Sequence, residues 1–596
     1  KLQTAKDEGR YQIELGTKGN NLSASVKKQI EDCNLTGIEF VESNSRYYPL
    51  GDFCSYVVGY AKSYNDQSVK KMVGEMGLEL SYDKQLKGKN GYKVYQTDAN
   101  GYALVDGTLR EKDPTNGNDL YLTIDSGLQR NLDYLMSNAY SESGAEVVTA
   151  GVMEIKTGKI LAMSTYPSFN PNERNISTFN NYFLEGTIEC GSVFKPFIYA
   201  DSIEEGKYDH NAYYNSGSYN VYYGNKLVAT IKDHNGGQGW GTITYDQGLY
   251  HSSNVAICNL LDQGYVTKDV LTEKLNDLGF FQGDTVDGLT CSSSINAYTR
   301  KNAGRLEYLT TGFGQGSTVT PYQLLKAYSV FGNDGKTVQP HIVDKVVNPE
   351  TNKVVYQATP KYSKQIFSTN TISQVKDLML GVIEDEQGTG KTYRLDNDVR
   401  MIGKTGTGQV VENGGYSTTL YMHSFVGIAP YDDPQVVMFL TFKSGDSYAQ
   451  YMPNIVKQTM NEALQVVNRY NAKNTTAVDQ SYTLDSYTNQ SVNYVKSKLE
   501  SKSLSVQIIG NGSSVIEQYP LAKSKVTSGD KVFIKTEGKD ITLPNLIGWS
   551  KKEVQTYASL AGIQLTIDGT SGHVTAQSVG ENTVVHSGDS LTVAIS

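Results

Sequence analysis

The sequence predicts an α+β protein of several domains, and three observations lead to this fold class. The chain has 596 residues, which is enough for about three to five domains. Helical and strand-like hydrophobic patterns are mixed from residue 1 to about 115, and again from 120 to about 468, where they form one larger domain. The remaining C-terminal part contains an internal repeat.

The composition favours a folded protein that does not bind nucleic acid. The formal net charge is −9 and no block of basic residues is present, whereas a nucleic-acid surface needs clustered Lys and Arg. The apolar runs are far shorter than the 18 or so residues that span a bilayer, and the chain starts at Lys1 without a signal-like region. The five cysteines form neither a disulfide framework nor a zinc pattern, so we expect no metal site.

Three segments before the repeat carry a local prediction. Residues 151–164, GVMEIKTGKILAMS, predict a β-hairpin in which a Lys-Thr-Gly-Lys turn joins two apolar strands. The polar segment REKDPTNGND, residues 110–119, closes the N-terminal region. Residues 469–481, RYNAKNTTAVDQS, are polar and lack periodicity, which predicts a linker.

The C-terminal repeat has an offset of 59 residues. It places Gly510 on Gly569, and the apolar alternation of residues 504–508 on that of residues 563–567. Each unit predicts a helix followed by three strands, and SKKE at 550–553 predicts a capping box at the start of the second helix. Repeats of this length usually form separate small units that follow one another along the chain.

The segment ECGSVFKPF, residues 189–197, holds the first chemical motif. Ser192 and Lys195 are three residues apart, and such side chains lie on one face of a helix. Since proline is tolerated only near a helix start, Pro196 predicts a helix that begins at or near Ser192. Free N–H groups would then face the serine oxygen, and the positive potential there would lower the pKa of Lys195, as a general base requires.

Two further motifs follow along the chain. Ser252 and Asn254 form a Ser-x-Asn motif in HSSNVAI, and Lys404 begins Lys-Thr-Gly-Thr in GKTGTG. Similar short matches occur elsewhere, for example at Ser168 and Asn170, and most of these are turns or solvated faces. Each motif alone is weak evidence. Their order, with spacings of about 60 and then about 150 residues, carries the argument.

A nucleotide-binding loop is the competing interpretation of two glycine-rich segments. GTGKT at 388–392 and GKT at 403–405 both look like part of a phosphate-binding loop. The full motif needs a glycine five residues before the glycine of Gly-Lys-Thr. Those positions hold Asp385 and Asp398, whose carboxylates would repel phosphate, so we reject this interpretation.

Together the three motifs resemble those of the penicillin-binding protein and serine β-lactamase superfamily. RYYPLGDFCSYVVGYA at 46–61 resembles the pedestal signature of class B penicillin-binding proteins, and segments from TIDSGLQ to HSFVGIAPYDDPQVV resemble their transpeptidase domain. TLPNLIGWSKKEV with SGDSLTVAI is similar to a PASTA module. The resemblance covers nearly the whole chain and is typical of Gram-positive division transpeptidases.

The resemblance implies a penicillin-binding transpeptidase fold, in which helices flank an antiparallel sheet, with a pedestal and two small α+β modules. It divides the chain into four regions: a pedestal of the dimerisation type at 1–117, a transpeptidase domain at 118–468, a divergent PASTA module at 480–537 and a second PASTA module at 538–596.

The resemblance also implies a peptidoglycan D,D-transpeptidase, which serves cell-wall synthesis, cell shape and cell division and is a target of β-lactams and of antibiotic resistance. Such an enzyme attacks the D-Ala-D-Ala end of a stem peptide, releases D-Ala and passes the acyl group to a neighbouring amine. By motif match, Ser192 is the nucleophile and Lys195 its base. Ser252 relays the proton to the leaving amine, and Lys404 tunes that relay.

The same motif match implies the substrate contacts. Asn254 would hold the acyl-side amide, while Thr405, Gly406 and Thr407 would line the site, with the two threonines on the terminal carboxylate. Backbone N–H groups of Ser192 and Thr407 would form the oxyanion hole. No metal, nucleotide or other cofactor is implied, because proton transfer activates the leaving group.

The implied ligands are stem peptides that end in D-Ala-D-Ala, and β-lactams. The implied partners are a SEDS glycosyltransferase and divisome proteins. The implied location is the extracellular face of the bacterial membrane, through an N-terminal anchor outside this chain. One alternative is a β-lactamase or β-lactam sensor, although EKLN at 273–276 is one residue short of the Glu-x-x-Leu-Asn loop that supplies a deacylation base. The other is a non-catalytic cell-wall scaffold.

Two positions depart from the family pattern. Cys190 stands where the family usually has proline, and Gly408 where it usually has alanine. Cys190 is open to two interpretations: a small hydrophobic residue in a buried space, or a thiol whose pKa is lowered by a helix N-terminus and two lysines. In the second case Cys258 could pair with it as a disulfide, or join His234 or His251 in a metal site.

Overall fold

The structure is a computed structural model of the chain. It describes residues 2–10, 13, 19, 22, 24–40, 46–66, 69–98, 103–396, 399–412, 414–475, 481–500, 504–527, 530–569 and 574–595. The chain divides into two compact units, Lys1–Leu464 and Gln465–Ser596.

The N-terminal part of the first unit is built from short helices and two antiparallel hairpins, β1–β2 and β3–β4. Its elements are α1 (Leu2–Asp7), α2 (Ala24–Asp32), α3 (Ser55–Val58), β1 (Tyr60–Asp66), β2 (Val69–Met76), α4 (Gly77–Ser81), α5 (Asp83–Leu86), β3 (Tyr92–Thr97) and β4 (Ala103–Lys112).

The large domain follows in two stretches. The first contains β5 (Asp119–Leu122), α6 (Ser126–Ser143), β6 (Val147–Glu154), β7 (Ile160–Tyr166), α7 (Tyr182–Glu185), α8 (Lys195–Glu204), β8 (Tyr213–Asn215), β9 (Ser218–Tyr223), β10 (Lys226–Lys232), β11 (Thr242–Thr244), α9 (Tyr245–Tyr250), α10 (Asn254–Asp262) and α11 (Lys268–Asp277). The second contains β12 (Asp284–Val286), β13 (Leu289–Cys291), α12 (Arg305–Gly312), α13 (Pro321–Tyr328), β14 (Val343–Asn348), β15 (Lys353–Gln357), α14 (Thr369–Glu384), β16 (Ile402–Glu412), β17 (Gly415–Ala429), β18 (Val436–Ser444) and α15 (Met452–Thr475).

A five-stranded antiparallel sheet in the order β16-β17-β18-β6-β7 forms the centre of this domain. Helix α6 packs on β6 and β7, α13 packs on β6 and β18, and α14 packs on β16. This arrangement confirms the predicted antiparallel sheet flanked by helices. The hairpin predicted at 151–164 is also confirmed, as β6 and β7.

One apolar core lies under this sheet and fixes the elements that carry the chemistry. It contains side chains of α8, α10, α13 and α14 together with side chains of β16, β17 and β18. Nearly every residue of α8 is buried, including both polar and apolar side chains. A helix placed so deeply holds the side chains at its N-terminal end in fixed positions.

The linker predicted at 469–481 is wrong over its first half, because α15 continues to Thr475. The segment is polar but contains neither glycine nor proline, so α15 can continue into its first half. Residues 476–480 lie outside the described residues.

The second unit contains both repeats. Their elements are β19 (Ser481–Thr483), α16 (Val492–Glu500), β20 (Ser505–Ile509), β21 (Val515–Tyr519), β22 (Lys525–Thr527) and β23 (Lys531–Thr536), then β24 (Ile541–Thr542), α17 (Lys551–Ala561), β25 (Gln564–Asp568), β26 (Val574–Gln577), β27 (Val584–Val585) and β28 (Ser590–Ile595). The helix and three main strands of each repeat are confirmed, in sheets ordered β20-β23-β21 and β25-β28-β26. The short pairs β19–β22 and β24–β27 were not predicted.

The two repeats share an apolar cluster. Trp549 and Tyr557 of the second repeat pack against Phe533 and Ile509 of the first. Lys531 of the first repeat lies 3.8 Å from the centre of the Trp549 ring. The predicted capping box is confirmed, with Ser550 and Glu553 bonded reciprocally at the start of α17. The repeats are therefore packed together rather than joined only by their chain.

No helix of the described part of the chain is long and apolar enough to cross a membrane.

Candidate active site

Ser192 lies on a short 3-10 turn, Gly191–Phe194, that leads directly into α8. The helix therefore starts where Pro196 predicts, but its first turn is a tighter one and the α-helix itself begins at Lys195. The Lys195 N–H donates to the Ser192 carbonyl, which closes that turn. Ser192 is half-buried, whereas the residues on either side of it are buried.

Lys195 is completely buried, and its ammonium group points toward the Ser-x-Asn motif. Its Nζ donates to the Ser252 carbonyl at 2.5 Å and to the Asn254 Oδ1 at 2.8 Å, and lies 3.4 Å from the Ser252 Oγ. Burial lowers the pKa of Lys195 to about 7, against the opposing effect of the Asp233 carboxylate. Near neutral pH a large fraction of Lys195 is therefore uncharged and able to accept a proton.

Lys404 reaches the same serine from the sheet. It lies in β16, is completely buried, and donates from its Nζ to the Ser252 Oγ at 2.8 Å and to the Thr405 carbonyl at 2.9 Å. Burial, and then the charge of Lys195, hold its pKa well below the usual value for lysine. Two lysines thus meet on one hydroxyl in a dry environment, where two full charges would be very costly.

Ser252 lies between α9 and α10 with a positive φ of 60°. This conformation is uncommon for a residue other than glycine and is often found at functional sites. It aims the Ser252 Oγ at both lysines while Ser253 caps α10 by accepting from the Ala256 N–H. Asn254 begins α10, and its Nδ2 donates to the Lys232 carbonyl at 2.9 Å.

The Lys-Thr-Gly-Thr motif lies inside β16, where the strand faces the Ser192 turn. Thr407 is exposed and Thr405 is half-buried. A Cβ built on Gly406 would lie 2.7 Å from the Cys190 carbonyl oxygen, so this glycine permits close contact between the strand and the turn. The three motifs are therefore brought together: Lys195 and Lys404 contact the Ser-x-Asn motif, and β16 packs against the Ser192 turn.

Asp233 was missed by the sequence analysis and lies at the centre of this site. It is buried, and its Oδ1 accepts from the Asn254 N–H at 2.7 Å, the Val255 N–H at 3.1 Å and the Ser253 Oγ at 2.9 Å. Its Oδ2 accepts from the Gly217 N–H at 2.8 Å. A carboxylate at the start of α10 is favourable for the helix dipole. No local sequence pattern marks it, because its partners are about 20 residues away.

Thr389 was also missed. The Thr405 Oγ1 donates to the Thr389 Oγ1 at 2.9 Å, which places the loop after α14 beside strand β16. This loop is the GTGKT segment that the sequence analysis weighed only as a phosphate-binding loop.

Three aromatic rings border the site. Trp240 stacks on His251 with ring centres 4.7 Å apart, and His234 lies against Trp240 at 5.4 Å. Burial and the nearby charges of Lys195 and Lys404 lower the pKa of His234. The stack holds His251, the residue before Ser252, in place.

The reactive interpretation of Cys190 is wrong. The side chain is 1% exposed, and burial raises rather than lowers the pKa of its thiol. The residue precedes a 3-10 turn, and its side chain makes no cap hydrogen bond to that turn. Cys190 and Cys258 are both free thiols. Within the described residues, no three His, Cys, Asp or Glu side chains are grouped to hold a metal.

Comparison with protein families gives matches along almost the entire chain. The penicillin binding protein transpeptidase domain matches residues 148–465, and the penicillin-binding protein dimerisation domain matches residues 1–122. The PASTA domain matches twice, at residues 482–538 and 541–596.

Similar proteins and structures agree with these families. Stage V sporulation protein D of Bacillus subtilis is 30% identical over 88% of this chain and 80% of its own length. A peptidoglycan D,D-transpeptidase FtsI homolog of Mesostigma viride is 28% identical over 69% of this chain and 70% of its own. The crystal structure of penicillin binding protein 2X from Streptococcus thermophilus matches with a TM-score of 0.67 and 25% identity, over 100% of this chain and 90% of that one.

Proposed function

This chain belongs to the penicillin-binding transpeptidase family, in its class B, and from that membership we propose that it cross-links peptidoglycan stem peptides through an acyl-enzyme on Ser192. The observation that carries the proposal is the pair of buried lysines on the Ser252 hydroxyl, one of which lies three residues after Ser192. Such a pair supplies both a base for a serine and a proton path to a leaving amine.

In the first step Ser192 is acylated. Uncharged Lys195 takes the proton of the Ser192 hydroxyl, and the Oγ attacks the carbonyl carbon between the two D-Ala residues. The peptide C–N bond breaks, and the leaving D-Ala amine receives a proton through Ser252. The close contact of Lys404 with the Ser252 Oγ supports its role in tuning this transfer.

In the second step the acyl group moves to an acceptor. The amine of a neighbouring stem peptide attacks the ester, its proton leaves through the same path, and the ester C–O bond breaks. Ser192 regains its proton, and the new peptide bond replaces the one that was broken. The step needs no metal or nucleotide, because only protons and the acyl group are moved.

The proposed substrate contacts are those that the family motifs imply. Asn254 holds the acyl-side amide, and the Thr405 and Thr407 hydroxyls bind the terminal carboxylate beside Gly406. The N–H groups of Ser192 and Thr407 form the oxyanion hole, where one donor is typically worth about 3 kcal/mol. The backbone contact between the Ser192 turn and β16 supports this arrangement.

We propose the division into regions 1–117, 118–468, 480–537 and 538–596 as the functional one, with peptidoglycan strands and β-lactams as ligands of the second region. Partners of the class, a SEDS glycosyltransferase and divisome proteins, belong to the same proposal. So does the extracellular face of the membrane, because class B penicillin-binding proteins are membrane-anchored cell-wall enzymes.

Labelling with a fluorescent penicillin tests this function against the two alternatives. A transpeptidase forms a covalent adduct that is released slowly. A β-lactamase releases it rapidly, and a non-catalytic scaffold forms none. We expect slow release, because Glu273 of the EKLN segment is exposed on α11. Fast release or a lack of label would overturn the proposal.

A further inference from the structure

Gly408 marks the point where strand β16 touches the backbone of the Ser192 turn. A Cβ built on Gly408 would lie 1.7 Å from the Glu189 carbonyl oxygen and 2.8 Å from its carbonyl carbon. The φ of Gly408 is not in the left-handed region, so its backbone conformation would suit any residue. The alanine that the family usually has here would therefore require the two backbones to move apart.

Three other glycines lie at this contact between backbones. We call the four residues together the glycine seam: Gly191, Gly314, Gly406 and Gly408. A Cβ on Gly191, whose φ is +61°, would lie 2.3 Å from the Thr407 carbonyl oxygen. A Cβ on Gly314 would lie 2.2 Å from the Gly191 carbonyl oxygen, and the Gly191 N–H donates to the Gly314 carbonyl at 3.0 Å. The nearest atoms are backbone, so no side-chain rotation can make room.

Glu189 is itself held in place. Its side chain is 7% exposed, and its Oε1 accepts from the Tyr416 hydroxyl of β17 at 3.1 Å. The residue that a Cβ at 408 would strike is thus tied to the neighbouring strand of the same sheet. Relief of the clash has to come from separation of β16 and the Ser192 turn.

The two proposed oxyanion donors lie on opposite sides of this seam. Ser192 directly follows Gly191, and Thr407 directly precedes Gly408. The distance between their N–H groups is therefore set by how closely the two backbones approach. We propose that Gly408 is a positioning residue that fixes the spacing of the Ser192 and Thr407 donors; this inference rests on the proposed acyl chemistry.

A graded series of alanine variants tests the seam. Gly415→Ala is the matched control, because a Cβ there meets nothing within 4 Å and the residue lies on the adjoining strand β17. Gly406→Ala would meet its nearest atom at 2.7 Å, and Gly408→Ala at 1.7 Å. For each variant we would measure the dissociation constant of the non-covalent penicillin complex, the acylation rate constant, and the infrared carbonyl stretch of the acyl-enzyme.

We expect the acylation rate constant to fall in the order of the clashes. Gly408→Ala should lose about tenfold or more, since removal of a whole donor costs roughly 10²- to 10³-fold. The non-covalent dissociation constant should change little, and the ester carbonyl stretch should move to higher wavenumber because its hydrogen bonds lengthen. Gly415→Ala should match the native protein in all three measurements.

Two outcomes would overturn the inference: a Gly408→Ala protein with the native rate and carbonyl stretch, or a rate loss without a spectral change. If Gly408→Ala does not fold, the smaller clash of Gly406→Ala decides by the same criteria. A native protein that forms no penicillin adduct would instead refute the proposed function, so the two failures are distinguishable.

Discussion

Two lysine side chains share the hydroxyl of Ser252, and their charges are coupled. Lys404 lies 2.8 Å and Lys195 3.4 Å from that oxygen, with no solvent around either. Both burial and mutual repulsion favour the loss of a proton from the pair.

The first prediction is that penicillin acylation depends on pH in the neutral range. The base is active only when deprotonated, and burial lowers the pKa of Lys195 to about 7. The second-order rate constant should therefore rise with pH through about 7 and level off above it. Stopped-flow acylation across this range, with Lys195→Ala as the inactive control, checks the prediction. A flat profile, or a rise only near the usual pKa of lysine, would contradict it.

The second prediction concerns Asp233→Asn. The Asp233 carboxylate raises the pKa of Lys195, so its neutralisation should lower that pKa and move the rise in acylation rate to lower pH. The maximal rate should also fall, because the Gly217 and Asn254 N–H groups lose a charged acceptor. Asp246→Asn, at the first turn of α9, is the control. If the pH profile of acylation does not shift, Asp233 serves only as a structural cap of α10.

At the scale of single elements, α8 joins the reactive turn to the core. Asp201 lies near the C-terminal end of this helix, is 1% exposed, and has no hydrogen-bond partner on either carboxylate oxygen within the described residues. Burial therefore raises the pKa of Asp201 well above the usual value. Burial of Asp201 thus favours the protonated form of this acid in the folded protein.

The third prediction is that Asp201→Asn stabilises the protein increasingly as pH rises. The native state binds a proton at Asp201 that the unfolded chain releases above about pH 4, so native stability falls with rising pH. The side-chain amide introduced by Asp201→Asn cannot ionise, so the variant does not lose stability in this way as pH rises. Melting temperatures of the variant and the native protein should be close at pH 4.5 and diverge toward pH 7.5. The exposed Asp433→Asn is the control; a constant difference across pH would contradict the account.

Individual elements also show how far sequence reasoning reaches. The hairpin β6–β7 and the helical start near Ser192, which Pro196 indicates, were predictable because turn residues and proline act locally. The three motifs were identified by their order along the chain. Asp233 and Thr389 were not, because their contacts with Asn254 and Thr405 exist only after distant loops pack together. The raised pKa of the Cys190 thiol was not predictable either, because it depends on burial of the side chain, which the neighbouring residues in the sequence do not reveal.

At the scale of the whole molecule, the C-terminal repeats are packed as a pair. Phe533 of the first repeat lies 5.8 Å from Trp549 of the second, ring centre to ring centre, and both are buried. Lys531 bridges to Glu553 of the second repeat at 3.2 Å. Burial of a large aromatic side chain contributes about 1.5–3 kcal/mol, which is enough to couple the opening of the two repeats.

The fourth prediction is that Trp549→Ala loosens both repeats. Hydrogen exchange should become faster in β23 of the first repeat and also in helix α17 of the second repeat, which begins just after Trp549. Leu521→Ala, at an exposed position of the first repeat, is the control and should leave exchange in the second repeat unchanged. Faster exchange confined to the second repeat would show that the repeats are independent.

The site of acylation is the most direct test of the central claim. Trypsin does not cleave before proline, so the bond after Lys195 should survive and Ser192 should be recovered in peptide 175–207, together with Ser177 and Ser202 as internal controls. After penicillin treatment, tandem mass spectrometry should place a single adduct on Ser192, and the Ser192→Ala protein should carry none. An adduct on another serine, or undiminished labelling of Ser192→Ala, would contradict the assignment of the nucleophile.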